Sequence, residues 1–280
     1  MKYLNIFIIA LATLASCTPE SSTQDLGALP VPSFTATPLE GKPYRIAVQS
    51  TTPGAFMWRW NYKNTRTAKR ETDTLSFPWK GEYTIQLTAF GHGGYAIATQ
   101  NITIPVDVPV KDILKGGDME AGSEQYWTKL NVGGAPSSHT SIEINNGVMN
   151  FNNTGNSNGA IYQAIKVTAG KEYIFSATVK GNGATNSWFE VYFSTTAPKQ
   201  GSDYSGTKYI GLSTWDGCGA VPFDGKLEEI GCSGSGKGER GSMMFNTSDS
   251  IYFVIKAGSS DGGNLGTGIT LDDVKFMEEL

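Results

Sequence analysis

The segment Ser187-Trp188-Phe189-Glu190-Val191-Tyr192-Phe193-Ser194 sorts its chemistry by parity. Strand alternation, with its period of two, puts Trp188, Glu190 and Tyr192 on one face and Phe189, Val191 and Phe193 on the other. The wholly apolar set belongs in a core. The opposite row, aromatic, carboxylate, aromatic, has the chemistry for holding a sugar: ring faces cover the C–H surface of a pyranose, and polar side chains take up its hydroxyls. A partly covered second layer is the other reading of that row. Downstream, a loop-rich stretch over residues 200–218 carries Tyr204 and Trp215. Either could offer a further platform, because a pinned loop presents a stacking surface at low entropic cost; Trp215 could instead pack on a neighbouring disulfide.

That disulfide follows from cysteine arithmetic. Cys17, Cys218 and Cys232 are the three cysteines, and the last two flank a Gly-rich loop in a chain with an export signal. In an oxidising compartment they read as one pair, worth roughly 3 kcal/mol in the chain-entropy model. A zinc site needs more ligands, and the only histidines are His92 and His139.

Catalytic patterns are missing. A jelly-roll glycosidase is expected to set paired carboxylates on one strand face, in a Glu-x-Asp-x-x-Glu run, and no such run occurs. Glu143 and Glu190 are isolated, and no Gly-x-Ser-x-Gly stands between a strand and a helix. The chain therefore reads as a binder rather than an enzyme. A formal net charge of −4, with 17% charged residues, provides no basic field for phosphates, so nucleic acid is not the partner.

The elements that must position these residues are strands. Short alternating runs rich in Val, Ile, Thr, Tyr and Phe are punctuated by Gly and Asn, with little helical periodicity beyond the N-terminus. The fold class is all-β. Residues 105–109, Pro-Val-Asp-Val-Pro, read as an extended linker between two blocks. Strands are expected over residues 147–152, 160–167, 172–180, 187–194, 208–214 and 250–257.

At the N-terminus a single charge, Lys2, precedes an apolar run over residues 3–14, too short to span a bilayer and typical of a signal peptide. Leu14-Ala15-Ser16-Cys17 resembles the lipobox of bacterial lipoproteins, which implies acylation of Cys17 after cleavage. Residues 18–30, rich in Ser, Thr and Pro, read as a tether.

Two further resemblances set the domain plan. Phe56-Met57-Trp58-Arg59-Trp60-Asn61, with Gly81-Glu82-Tyr83-Thr84-Ile85-Gln86-Leu87, resembles the PKD family, implying a small Ig-like sandwich over residues 31–106 that serves as a spacer. The turn at Asn61-Tyr62-Lys63-Asn64 departs from the usual Gly-Asp-Gly, and Trp58, Trp60 and Trp79 read as core or inter-sheet packing residues, with sugar platforms as the other reading. Gly116-Gly117-Asp118-Met119-Glu120 and Leu271-Asp272-Asp273-Val274 resemble the opening and closing strands of carbohydrate-binding modules of family 4, implying a β-jelly roll over residues 110–280. The resemblance implies that Trp188, Glu190 and Tyr192 line a concave groove. It also implies a structural Ca²⁺ held by acids such as Glu120 and Asp272, although these acids could equally cap strand ends in solvent.

The whole arrangement resembles the surface glycan-binding lipoproteins of Bacteroidetes, which implies anchoring in the outer membrane beside a glycan importer. It also implies a neutral polysaccharide ligand, a β-glucan with β-1,3 or mixed linkage. The competing class is a structural or adhesive lipoprotein that binds a protein partner.

Overall fold

The computed structural model describes residues 27–63 and 66–280, so Cys17, the signal and most of the tether lie outside the described residues. Strands dominate throughout. The first sandwich is built from β1 (Phe34–Leu39), β2 (Lys42–Ser50), β3 (Met57–Asn61), β4 (Thr67–Ala68), β5 (Thr72–Ser76), β6 (Gly81–Gly91) and β7 (Gly94–Ile104). They form a three-stranded sheet, β1-β2-β5, packed on a four-stranded sheet, β4-β3-β6-β7. The two PKD-like runs are neighbours in the latter sheet, with Trp58 opposite Ala89 and Trp60 opposite Leu87. Trp60 is wholly buried, and its Nε1 donates to the Arg70 carbonyl at 2.7 Å, so its polar end is satisfied inside an aromatic core.

The second sandwich contains β8 (Val110–Asp112), β9 (Thr128–Leu130), β10 (Ser141–Asn145), β11 (Val148–Asn152), β12 (Ser157–Lys166) and β13 (Glu172–Gly181). It continues with β14 (Thr185–Ser194), β15 (Lys208–Ser213), β16 (Phe223–Lys226), β17 (Ser242–Met244), β18 (Ser250–Asn264) and β19 (Ile269–Glu279). One sheet runs β10-β11-β19-β13-β16, with β17 beside β13 and β8 beside β19; the other runs β15-β14-β18-β12-β9. Phe151, Phe175, Phe189, Phe253 and Phe276 fill the space between them.

The two end motifs do meet, but not as paired strands. Residues 116–120 form a loop that crosses β19, where the Val274 amide donates to the Gly117 carbonyl at 2.8 Å. A Cβ at Gly117 would stand 2.0 Å from the Val274 oxygen, so only glycine permits the crossing. The end of β19 pairs instead with β8 on one side and β13 on the other.

Residues 105–109 are tied down rather than free. Val108 is buried in the first core, its amide donates to the Pro78 carbonyl at 2.9 Å, and Asp107 accepts from the Lys80 amide at 2.7 Å. The second sandwich also lends Ile174 and Met277 to the first sandwich's core. Around this seam four cations of the first sandwich reach three carboxylates of the second. Arg66 makes two hydrogen bonds, at 2.7 and 2.5 Å, to Glu172, which is 0% exposed and also accepts from Ser76 at 2.9 Å. Arg45 and Lys42 converge on Glu279, and Lys63 pairs with Glu239 at 3.1 Å. Burial alone would raise the Glu279 carboxyl, but hydrogen bonds from Arg45, the Glu172 amide and Lys42 outweigh it and hold it at about 2. Such a seam tolerates no loose partner, because each buried charge depends on its counterpart.

Candidate functional site

Alternation along β14 is realised. Phe189 and Val191 are fully buried between the sheets, with Phe189 edge-on to Phe151 at 5.1 Å, while Trp188 and Glu190 stand half-buried on the opposite face. Trp188 lies across β18, where its partner is Gly258. A Cβ there would come within 2.5 Å of the Trp188 Cζ2, so the glycine lets the indole lie close against the sheet. Lys256, one step along β18 and opposite Glu190, places its Nζ 5.8 Å from the Trp188 ring centre.

Trp215 completes an aromatic pair. Its ring stacks on Trp188 with centroids 6.1 Å apart and planes at 27°, yet it remains 53% exposed. Its position follows from the turn after β15. The Thr214 amide donates to the Ser187 carbonyl at 3.1 Å, the Asp216 and Cys218 amides both return to the Ser213 carbonyl, and Cys218 is bonded to Cys232 with Cα atoms 6.0 Å apart. The disulfide therefore pins the turn that carries Trp215. A hydrogen bond from Ser213, supported by Ser233 and Lys208, holds the Asp216 carboxyl below its ordinary value.

Polar groups frame the pair. Lys208 bridges Glu190 at 3.2 Å and Asp216 at 3.8 Å; Asp203 accepts from Lys256 and from the Asn158 amide, each at 2.7 Å. Trp188 Nε1 and Asn158 Oδ1 are buried and have no hydrogen-bond partner among the described residues. Two cations and three carboxylates are thus already paired among themselves, which leaves an aromatic and amide surface suited to an uncharged, hydroxyl-rich ligand.

The remaining expected contacts need correction. Tyr192 and Tyr204 are only 6% and 4% exposed, packed edge to face at 5.5 Å, and belong to a satellite core with Leu130, Val132 and Val254. The connection between β14 and β15 folds over the sheet: Gln200 bonds Asn131 and Lys129 near β9, and Asp203 and Tyr204 return across β12, β18 and β14. This connection covers the middle of the expected groove, so neither tyrosine offers a stacking face, and the open part is the Trp188–Trp215 end. Burial and the hydrogen bond to Glu190 push the Tyr192 hydroxyl well above its ordinary range. Trp127 lies in the main core, with its Nε1 bonded to the Gly116 carbonyl at 2.9 Å.

Of the two acids expected at a metal, Glu120 is exposed beside the Gly147 turn, and Asp272 caps the Asp273 amide on β19 at 2.6 Å, a strand-level role for its carboxylate. Among the described residues no group of three or more His, Cys, Asp or Glu side chains could hold a metal ion.

No family model matches the chain, and no curated protein matches it. Solved structures similar to it include PKD domains and carbohydrate-binding modules. The PKD1 domain of the Vibrio cholerae metalloprotease PrtV is 24% identical over 28% of this chain and 100% of its own, with a TM-score of 0.26. Carbohydrate-binding modules of the β-sandwich superfamily align at 12% identity over 89% of this chain and 98% of theirs, with a TM-score of 0.32. The CBM22 tandem domain of Paenibacillus barcinonensis Xyn10C aligns at 7% identity over 89% and 91%, with a TM-score of 0.35.

Proposed function

We propose that this protein is a non-catalytic binder of a neutral polysaccharide, held at the bacterial cell surface through an acylated Cys17. The observation that carries the reading is the Trp188–Trp215 pair, an exposed indole supported from below by a second and surrounded by amides and paired charges. Stacking supplies affinity for the C–H face of a sugar, and the charges around the pair are engaged with one another rather than free to hold an ionic ligand. Each carboxylate at the site is already engaged by a neighbour: Glu190 accepts from Tyr192 and Lys208, Asp203 accepts from Lys256 and Asn158, and Asp216 accepts from Ser213 and faces Lys208 at 3.8 Å. That supports binding over general acid–base work, which needs a carboxyl free to exchange a proton with substrate.

The finer reading rests on the sequence resemblances: a β-glucan ligand with β-1,3 or mixed linkage, delivered to an outer-membrane importer, with residues 18–30 serving as the tether. Affinity electrophoresis of the protein in gels containing a panel of neutral polysaccharides tests it. Retardation by at least one, without sugar release, is expected. Retardation by none would remove the reading, and sugar release would make the protein an enzyme.

A further inference from the structure

Where the sandwiches meet, a cleft of about 610 Å³ opens between the β4-β3-β6-β7 sheet and the turn at 238–240 of the second sandwich. Its floor is polar by alternation: Ile85 and Leu87 of β6 point into the core, while Thr84 and Gln86 point out beside Asn61 and Thr99. Asn61 donates to Gln86 at 3.0 Å, forming an amide pair on the sheet surface. Trp79 and Tyr83 supply aromatic walls. The cleft's charges, Lys63, Glu82, Glu239 and Arg240, sum to zero.

Two features have no evident structural purpose. Trp79 Nε1 is buried and has no hydrogen-bond partner among the described residues. Arg240, whose guanidinium lies 4.8 Å from the Trp79 ring centre, sits at φ +52°, in the left-handed region that a non-glycine residue occupies only at a cost. Strain of this kind persists where the surroundings hold it in place. Here the flanking Glu239 and Ser242 are engaged by Lys63 and Arg66 of the first sandwich, and the result is a guanidinium aimed over an indole.

We propose that this interdomain cleft is a second glycan site, which takes a segment of the same neutral polysaccharide that the Trp188–Trp215 face holds. The proposal rests on the polysaccharide-binding reading. It gives the first sandwich a role in recognition, because half of the site is its sheet. It also gives the buried ion-pair seam a purpose: two sites on docked domains bind one long chain with the second contact intramolecular, which raises avidity without new chemistry at either site.

The test uses the full chain and the polysaccharide that retards the wild type most in affinity gels. Arg240→Gly removes the guanidinium while suiting the positive φ, and Thr84→Arg, at an exposed position, fills the cleft from the sheet side. Each is expected to weaken retardation by about tenfold or more, with Trp215→Ala weakening it independently. Wild-type retardation of both cleft variants, with loss only in Trp215→Ala, overturns the second site and leaves the function standing. Loss in the cleft variants with none in Trp215→Ala keeps the cleft and removes the Trp188–Trp215 face. A wild type that no polysaccharide retards removes both.

Discussion

Replacing Arg66 with alanine strips the two guanidinium hydrogen bonds from Glu172 and leaves that carboxylate, 0% exposed, with Ser76 as its one remaining side-chain hydrogen-bond partner among the described residues. The same change removes the Arg66 bond to Ser242, which joins the first sandwich to β17. Breaking a buried pair by deleting one partner costs about 3–5 kcal/mol, because the survivor is an uncompensated charge. Arg66 and Glu172 lie on different sandwiches, so the loss should appear first as uncoupling of the two. Urea unfolding followed by tryptophan fluorescence and by far-UV circular dichroism should show one coincident transition in the wild type and two separated ones in Arg66→Ala. The double variant Arg66→Met/Glu172→Met should recover part of the loss, since removing both charges removes the desolvation penalty as well. An Arg66→Ala protein that unfolds in a single transition within 1 kcal/mol of the wild type would refute the view that the seam depends on this pair.

Glu279 makes the same seam acid-sensitive. Its carboxyl, near 2 in the folded protein against an ordinary 4.5, contributes stability that is fully present above pH 4.5 and is lost as the pH falls towards 2. The contribution is about 3 kcal/mol, and Glu279→Gln should flatten the fall in urea midpoint across that window; an unchanged profile would assign the acid lability elsewhere. Phe189→Ala, which empties a fully buried site against Phe151, should cost about 3–5 kcal/mol in denaturant titrations and would speak against the face assignment if it cost less than 1. Cys218→Ser should lose about 3 kcal/mol of stability by the chain-entropy model and, because the bond pins the turn that carries Trp215, should also weaken glycan binding. Destabilisation with unaltered affinity would uncouple the disulfide from the platform.

Much of the fold was legible because strand alternation is local. Phe189 and Val191 against Trp188 and Glu190 could be sorted by parity alone, and the expected strands at 172–180, 187–194 and 208–214 lie within a few residues of β13, β14 and β15. The burial of Tyr192 and Tyr204 was not legible, since it depends on the path of the connection between β14 and β15, which no periodicity encodes. The ion-pair seam was hidden for a related reason. Glu172 lies 106 residues from Arg66, and a charged residue in a sequence looks the same whether it faces water or a partner. A glycine within a strand was the one available signal at the site: Gly258 marks a place where something approaches closely, and that something is Trp188.

In the proposed function, an exposed indole supported by a second holds a neutral glycan. Isothermal titration of the wild type and Trp215→Ala with the polysaccharide that retards the wild type tests it most directly. Because the ring is 53% exposed, its removal should leave the melting temperature nearly unchanged and weaken binding by about 1–3 kcal/mol, roughly five- to 150-fold. Trp215→Ala binding as tightly as the wild type would contradict a stacking role for this indole.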